Sequence, residues 1–162
     1  MKDVKVREIM STAVHHVSPR LPLVDLESRL SAQRISGAPV IERGKVVGIV
    51  SRSDIEQAIS QERVKTAAAA AFYQQTDVAG EEAAGGPVDA TGPALENLRN
   101  SSVRDVMTRE VISVEGGDSV VEAARRMKSR RIHRVLVIED GRLLGIVSSF
   151  DIVCLLADAD VG

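Results

Sequence analysis

The chain has 162 residues, 44% of them hydrophobic, and a formal net charge of −2. That is material for one ordinary core or two small ones, and it excludes a global basic field for holding nucleic acid. Aromatic residues make up 2% of the chain (Phe72, Tyr73 and Phe150, with no Trp), too few rings to stack the bases of a single strand.

The single cysteine, Cys154, excludes an intrachain disulfide and a cysteine zinc cluster. It stands in the apolar run IVCLL and is expected to be a buried thiol. The N-terminal stretch MKDVKVREIM is charged from its second residue and has no apolar stretch behind it, so it does not read as a signal peptide. No apolar run approaches the ~20 residues of a membrane span. The expectation is a cytoplasmic protein without membrane contact.

The chain is written twice. With Val6 laid on Val103, the segment VREIMSTAV through SRSDI falls without a gap on VRDVMTREV through SSFDI, and roughly two in five paired residues are identical. Each copy reads alike in chain order. An extended piece comes first (Val14–Val17; Val111–Val114). An amphipathic helix follows, with Leu23, Leu26 and Leu30 or Val120, Ala124 and Met127 at helical spacing. Pro22 is expected at its first position and Ser119 as an N-cap. Next come a strand (Ala38–Ile41; Val135–Ile138), a turn at Gly44 or Gly141, and a second strand (Val46–Ser51; Leu143–Ser148). These strands are rich in Val and Ile without clean alternation, as strands covered on both faces are. A last helix opens at Ser53 or Ser149, with Asp54 or Asp151 in its first turn.

Between the copies, Ile55 to Gln75 can continue as helix through an alanine run. Thr76 to Pro93 is rich in Gly, Ala, Pro and acid and reads as a flexible linker. The expected division is repeat one over 1–60, helical extension and linker over 61–100, and repeat two over 101–162.

The segments GIVSRSD (Gly48–Asp54) and GIVSSFD (Gly145–Asp151) resemble the G-h-h-[ST]-x-x-D signature of CBS domains. RISGAPV and RIHRVLV resemble that family's run into its first long strand, and REIMSTAV and RDVMTREV its opening. The resemblance covers about 100 residues. The chain departs from the family pattern in carrying Leu136 where proline is usual and Ser for Thr in both signatures. The resemblance implies an α/β fold of two β-α-β-β-α CBS repeats packed about a pseudo-twofold axis, a regulatory module and not an enzyme, and commonly a homodimer. Ile55, Ile59, Ile152, Leu155 and Leu156 are the apolar residues expected to supply the dimer surface.

The residues also speak for themselves. Ser51 and Asp54 are three apart at a strand-to-helix junction, which sets a hydroxyl and a carboxylate on one side of a helix's first turn. A carboxylate accepts hydrogen bonds from the vicinal hydroxyls of a ribose, and the helix N-terminus favours phosphate. The same residues could simply cap the helix. Gly48 and Gly145 allow close backbone approach where the strand meets a cleft. The family resemblance implies two clefts, each shared between copies. The first would combine Ser51 and Asp54 with Met107, Ile112, Ile132, His133 and Arg134. The second would combine Ser148 and Asp151 with Met10, His15, Ile35, Ser36, Gly37 and Ala38. The apolar members would hold an adenine ring, and His133 and Arg134 would face phosphate.

The implied ligand is an adenine nucleotide, AMP, ADP or ATP, with no cofactor and no metal. Adjacent His15 and His16 on an extended strand point to opposite faces and do not share one ion easily. No Walker loop, Rossmann turn or nucleophile elbow is present. The basic run Arg125–Arg131 reads as a solvated helix face and not a nucleic-acid contact. Two alternatives remain open: a module for S-adenosylmethionine-type nucleosides, and an interaction protein with empty clefts that acts by dimerising.

Overall fold

The computed structural model of the protein describes residues 4–60, 70–74 and 92–159. In chain order the elements are α1 (Val6–Ile9), α2 (Leu23–Gln33), β1 (Gly37–Glu42), β2 (Lys45–Ser51), α3 (Arg52–Ser60), α4 (Ala70–Gln74) and α5 (Pro93–Asn100). Then come α6 (Val103–Val106), β3 (Ser113–Val114), α7 (Val120–Arg130), β4 (Arg134–Glu139), β5 (Arg142–Ser148) and α8 (Ser149–Ala159).

Local chemistry explains why the two copies fold alike. α2 buries the expected Leu23, Leu26 and Leu30. α7 buries Val120, Ala123 and Met127, so the core contact falls on Ala123 and leaves Ala124 half-buried; both lie on the apolar stripe. Pro22 is the N-cap of α2 and not its first residue, while Ser119 caps α7 by accepting from the Glu122 N–H at 3.2 Å. Both helices end on an arginine in the left-handed region, Arg34 and Arg131, with φ near 53° and 54°. Each hairpin turns through two residues of positive φ, Arg43–Gly44 and Asp140–Gly141. That sign at both central positions matches the twist of the flanking strands. β1 pairs antiparallel with β2, and β4 with β5, with a bulge at the same place in each copy. The opening of copy two adds β3 parallel to β4, while Val17 makes the equivalent isolated bridge to Val40 in copy one.

Packing divides the chain into two compact units, and the division does not follow the repeats. One, the α3 unit, holds residues 15–60, 70–74 and 92–111. The other, the α8 unit, holds residues 4–14 and 112–159. The openings are exchanged: each repeat's first segment packs on the other repeat's sheet and helices. In the α3 unit the Val103 N–H donates to the Leu21 carbonyl at 2.9 Å and Arg104 N–H to Pro19 at 2.9 Å. In the α8 unit Val6 N–H donates to Asp118 at 2.9 Å and Arg7 N–H to Gly116 at 3.1 Å. Thr108 and Ile49 then exchange backbone hydrogen bonds, both 2.8 Å, as Ser11 and Ile146 do at 2.9 Å.

This exchange accounts for the close backbone approach expected at the two signature glycines. A Cβ on Gly48 would stand 2.6 Å from the Thr108 carbonyl oxygen, and one on Gly145 2.5 Å from that of Ser11. The backbone that approaches is the opening segment, held with Met107 or Met10 against the strand.

The core of the α3 unit gathers Leu23, Leu26, Leu30, Ala38, Val40, Val50, Ile55, Leu98 and Val103. Leu98 comes from α5, a helix inside the stretch expected to be linker. Pro93 opens α5, and its Leu98 is buried. The Phe72 and Tyr73 rings of α4 are also buried, edge to face at 5.1 Å. The proposed helical continuation beyond Ser60 and most of the linker lie outside the described residues. α8 buries none of its residues fully. Phe150, Val153 and Leu156 are 52%, 56% and 45% exposed, and Cys154 is an exposed thiol, not the buried one expected. The apolar run around it misled because one side of this helix has no cover among the described residues. Ile55, conversely, is wholly buried in its own unit and offers nothing to a dimer surface.

Candidate functional site

The Ser-x-x-Asp turn is built the same way twice, from a hairpin strand that ends where a helix begins. In the α3 unit the Asp54 carboxylate accepts through Oδ2 from the Ser51 N–H at 2.7 Å and the Ser51 hydroxyl at 3.0 Å. The Ser51 Oγ also lies 2.8 Å from the Ser53 hydroxyl. In the α8 unit Asp151 Oδ2 accepts from the Ser148 N–H at 2.7 Å and its hydroxyl at 2.8 Å. There the Asp151 N–H returns a hydrogen bond to Ser148 Oγ at 3.2 Å, which completes a reciprocal cap. Capping is therefore part of what these residues do. Each carboxylate spends one oxygen on the turn, and among the described residues its Oδ1 accepts no hydrogen bond. Asp54 and Ser51 are almost completely buried, whereas Asp151 is half-buried. Burial pushes the Asp54 carboxyl above its ordinary value, against the two hydrogen bonds from Ser51 that pull it down.

The stretch that leads into each first hairpin strand adjoins the turn of its own repeat. The Arg52 N–H, at the start of α3, donates to the Ser36 carbonyl at 2.8 Å; the Ser149 N–H, at the start of α8, donates to His133 at 2.7 Å. Gly37 is the register partner of Ser51, and Arg134 that of Ser148. Directly opposed residues of an antiparallel pair share a sheet face. The α3 unit thus gathers Ser51, Asp54 and Met107 with His15, Ile35, Ser36, Gly37 and Ala38. The α8 unit gathers Ser148, Asp151 and Met10 with Ile112, Ile132, His133 and Arg134. Of these, Ala38 faces the helices: it pairs with Val50 and belongs to the core. His15 and His133 are exposed, Arg134 is buried with 8% of its surface exposed, and Met10, Met107, Ile35, Ser36 and Ile112 are half-buried.

Two polar residues were not read from the sequence as part of the site. Thr108 bridges Ile49 and so shares the sheet face of Ile49 and Ser51; its hydroxyl oxygen is buried without a hydrogen-bond partner among the described residues. Its place directly after Met107 in the opening was the available signal. Ser53 adds a second hydroxyl to the α3 turn, where the other copy has Phe150. Among the described residues no three His, Cys, Asp or Glu side chains gather as metal ligands, and no helix is long and apolar enough to cross a membrane.

Comparison with known proteins places this geometry. The CBS domain family profile matches twice, over residues 6–61 and 103–158. An uncharacterized protein, MJ1426 of Methanocaldococcus jannaschii, is 32% identical over 150 residues, 81% of this chain and 79% of its own length. The chain spans less than half the length of several other curated relatives it matches. Among solved structures, CBSX2 in complex with AMP is similar with a TM-score of 0.65 at 22% identity, over 96% of this chain and 98% of that one. The CBS domain pair of MJ0100 in complex with 5′-methylthioadenosine and S-adenosyl-L-methionine is similar with a TM-score of 0.61 at 22% identity, again over 96% and 98%.

Proposed function

Because the chain belongs to the CBS-domain family as a tandem pair, we propose that it is a regulatory module that binds an adenine nucleotide, AMP, ADP or ATP, catalyses no reaction itself, and works in the cytoplasm as a homodimer. The observation that carries the reading is the twice-built Ser-x-x-Asp turn with one carboxylate oxygen left over at the start of a helix. That oxygen suits a ribose hydroxyl, and the helix's first N–H groups suit an anion. His133 and Arg134 are the residues proposed for phosphate. The adenosine moiety is common to the ligands of the two ligand-bound neighbours, which supports the ligand class. The second reading, an S-adenosylmethionine-type nucleoside, is favoured by one feature: Gly37 stands across from Ser51 where Arg134 stands across from Ser148, so one turn has no cation opposite it.

A thermal-shift panel of AMP, ADP, ATP, S-adenosylmethionine and 5′-methylthioadenosine separates the readings. A ligand that binds only the folded state raises the melting temperature, by about 2.7 kcal/mol of stabilisation at a hundredfold excess over its Kd. The expected pattern is a shift with the phosphate-bearing compounds that exceeds the shift with the sulfonium and thioether ones. The reverse order selects the second reading, and no shift with any of the five removes adenosine recognition altogether.

A further inference from the structure

The hairpin of the α3 unit carries something that the other hairpin does not. Ala38 and Val50 turn into the core, so Gly37 and Ser51, next to them on the paired strands, turn to the opposite face. α4 packs on β1, β2 and α3, the elements that build the Ser-x-x-Asp turn. A Cβ on Gly37 would stand 3.0 Å from the Cβ of Phe72, 3.1 Å from the Cα of Ser51 and 2.7 Å from the Val50 carbonyl oxygen. Phe72 therefore lies over the Gly37–Ser51 pair, on the face that bears the Ser51 side chain. The Phe72 and Tyr73 rings are buried there, and so are Ser51 and Asp54. In the α8 unit Arg134 stands at the position of Gly37 and Asp151 is half-buried. The one ring described in that unit, Phe150, is exposed.

We infer that α4 is a plug that the chain sets against its own α3-unit turn: Phe72 takes the space over Gly37 and Ser51 that a nucleotide at that turn needs, so α4 and nucleotide exclude each other. This rests on the nucleotide reading above and adds that the two turns are unequal, one open and one closed. Three observations support it. No side chain fits at position 37 with α4 in place, so the glycine and the ring go together, and the copy with arginine at that position has no ring over it. The cover also takes water away from a carboxylate. A plain core contact would avoid that cost, and it is the cause of the raised Asp54 carboxyl. Finally, α4 has only five residues, too few to hold as a helix without its contacts, so a competing ligand can displace it. Nucleotide binds this turn only in the fraction of molecules from which α4 has withdrawn, and the apparent affinity falls by that fraction.

The test compares the full chain with Phe72→Ala/Tyr73→Ala, after circular dichroism shows that the variant is folded. Calorimetric titration with AMP is expected to find one readily filled site per chain in the wild type and two in the variant, the gained site binding at least about tenfold more tightly than in the wild type. Asp54→Ala added to the variant removes the gained site, and Asp151→Ala does not. Carbon-13 NMR reads the cover without ligand: the Asp54 carboxyl of the variant titrates closer to the ordinary carboxylate range. A third measurement needs no variant. In the wild type, AMP beyond the first equivalent speeds amide hydrogen exchange of residues 70–74. A folded variant with one AMP site, or a wild-type α4 whose exchange saturating AMP leaves unchanged, overturns the plug and leaves the nucleotide reading standing. No AMP uptake by wild type and variant alike removes the nucleotide reading, and the plug with it.

Discussion

The α3 and α8 units are two solutions to one sequence pattern, and they differ most in what surrounds the last helix. α3 is tied to α2 by a partly buried cluster: the buried Arg52 guanidinium lies 3.9 Å from the Glu27 carboxylate and donates to the exposed Ser31 hydroxyl at 3.2 Å. The same positions in the other repeat are Ser149, Ala124 and Lys128, which cannot form it. α3 is also closed over by α5, so its Ile55 is wholly buried, whereas Ile152 of α8 is only half-buried. The shared parts are the hairpin, the bulge, the left-handed helix ends, the exchanged opening and the Ser-x-x-Asp turn. The lesson is that the turn and its supports are preserved through both copies while the outer helical face is free to differ. That separation is what a module needs if its inner residues recognise a ligand and its outer ones an interaction partner.

The largest expected effect sharpens this contrast directly. Ile55→Ala leaves a cavity in a closed core and should cost about 2–4 kcal/mol, while Ile152→Ala should cost about half that or less. Urea unfolding of both variants checks it, and equal losses would mean that α8 is as well covered as α3. A second pair probes what the units share. Gly48→Ala and Gly145→Ala each push a Cβ into a backbone carbonyl of the exchanged opening, and each should cost about 1–3 kcal/mol. A loss in only one would show that the two openings are not held alike.

The smallest effect is a pH dependence. Asp54 has a folded pKa raised above its unfolded one by burial, so its contribution to stability is full below the ordinary carboxylate range and is lost as pH rises through the raised value. Asp54→Asn keeps an acceptor for the Ser51 N–H but does not titrate. The variant should therefore gain on the wild type as pH rises through that window, measured as the difference between their urea midpoints. A difference that shrinks with rising pH would contradict the sign.

Much of the fold was legible because the chain repeats itself. Leu23, Leu26 and Leu30, the turns at Gly44 and Gly141, and both Ser-x-x-Asp junctions fall where periodicity and turn chemistry set them. The exchanged openings were not legible from local pattern, because a short segment such as Val6–Ile9 carries no signal of which sheet it will pair with; the family resemblance implied it, in setting Met107 with Ser51 and Met10 with Ser148. α5 was hidden by the Gly and Pro in front of it, although Pro93 is a good helix start. Cys154 was misjudged because an apolar run tells of burial or of an uncovered surface equally well. Of the site, both turns were legible. The close relation of Arg134 to Ser148 was not, since cross-strand register depends on the turn and the bulge together.

The central claim is that the Ser-x-x-Asp turns hold an adenine nucleotide. Its most direct measurement is a calorimetric titration of AMP into the wild type, Asp54→Ala, Asp151→Ala and the double variant His133→Ala/Arg134→Ala, with adenosine titrated alongside and circular dichroism to confirm folding. The account predicts saturable AMP binding that Asp151→Ala, in the turn that adjoins His133 and Arg134, weakens about ten- to a hundredfold or more, as expected when a charge-assisted pair of hydrogen bonds to the ribose is lost, with a smaller effect of Asp54→Ala. It also predicts that the His133/Arg134 variant loses AMP far more than adenosine. Wild-type protein that takes up AMP with the same affinity as folded Asp54→Ala and Asp151→Ala, or that takes up none, would contradict it.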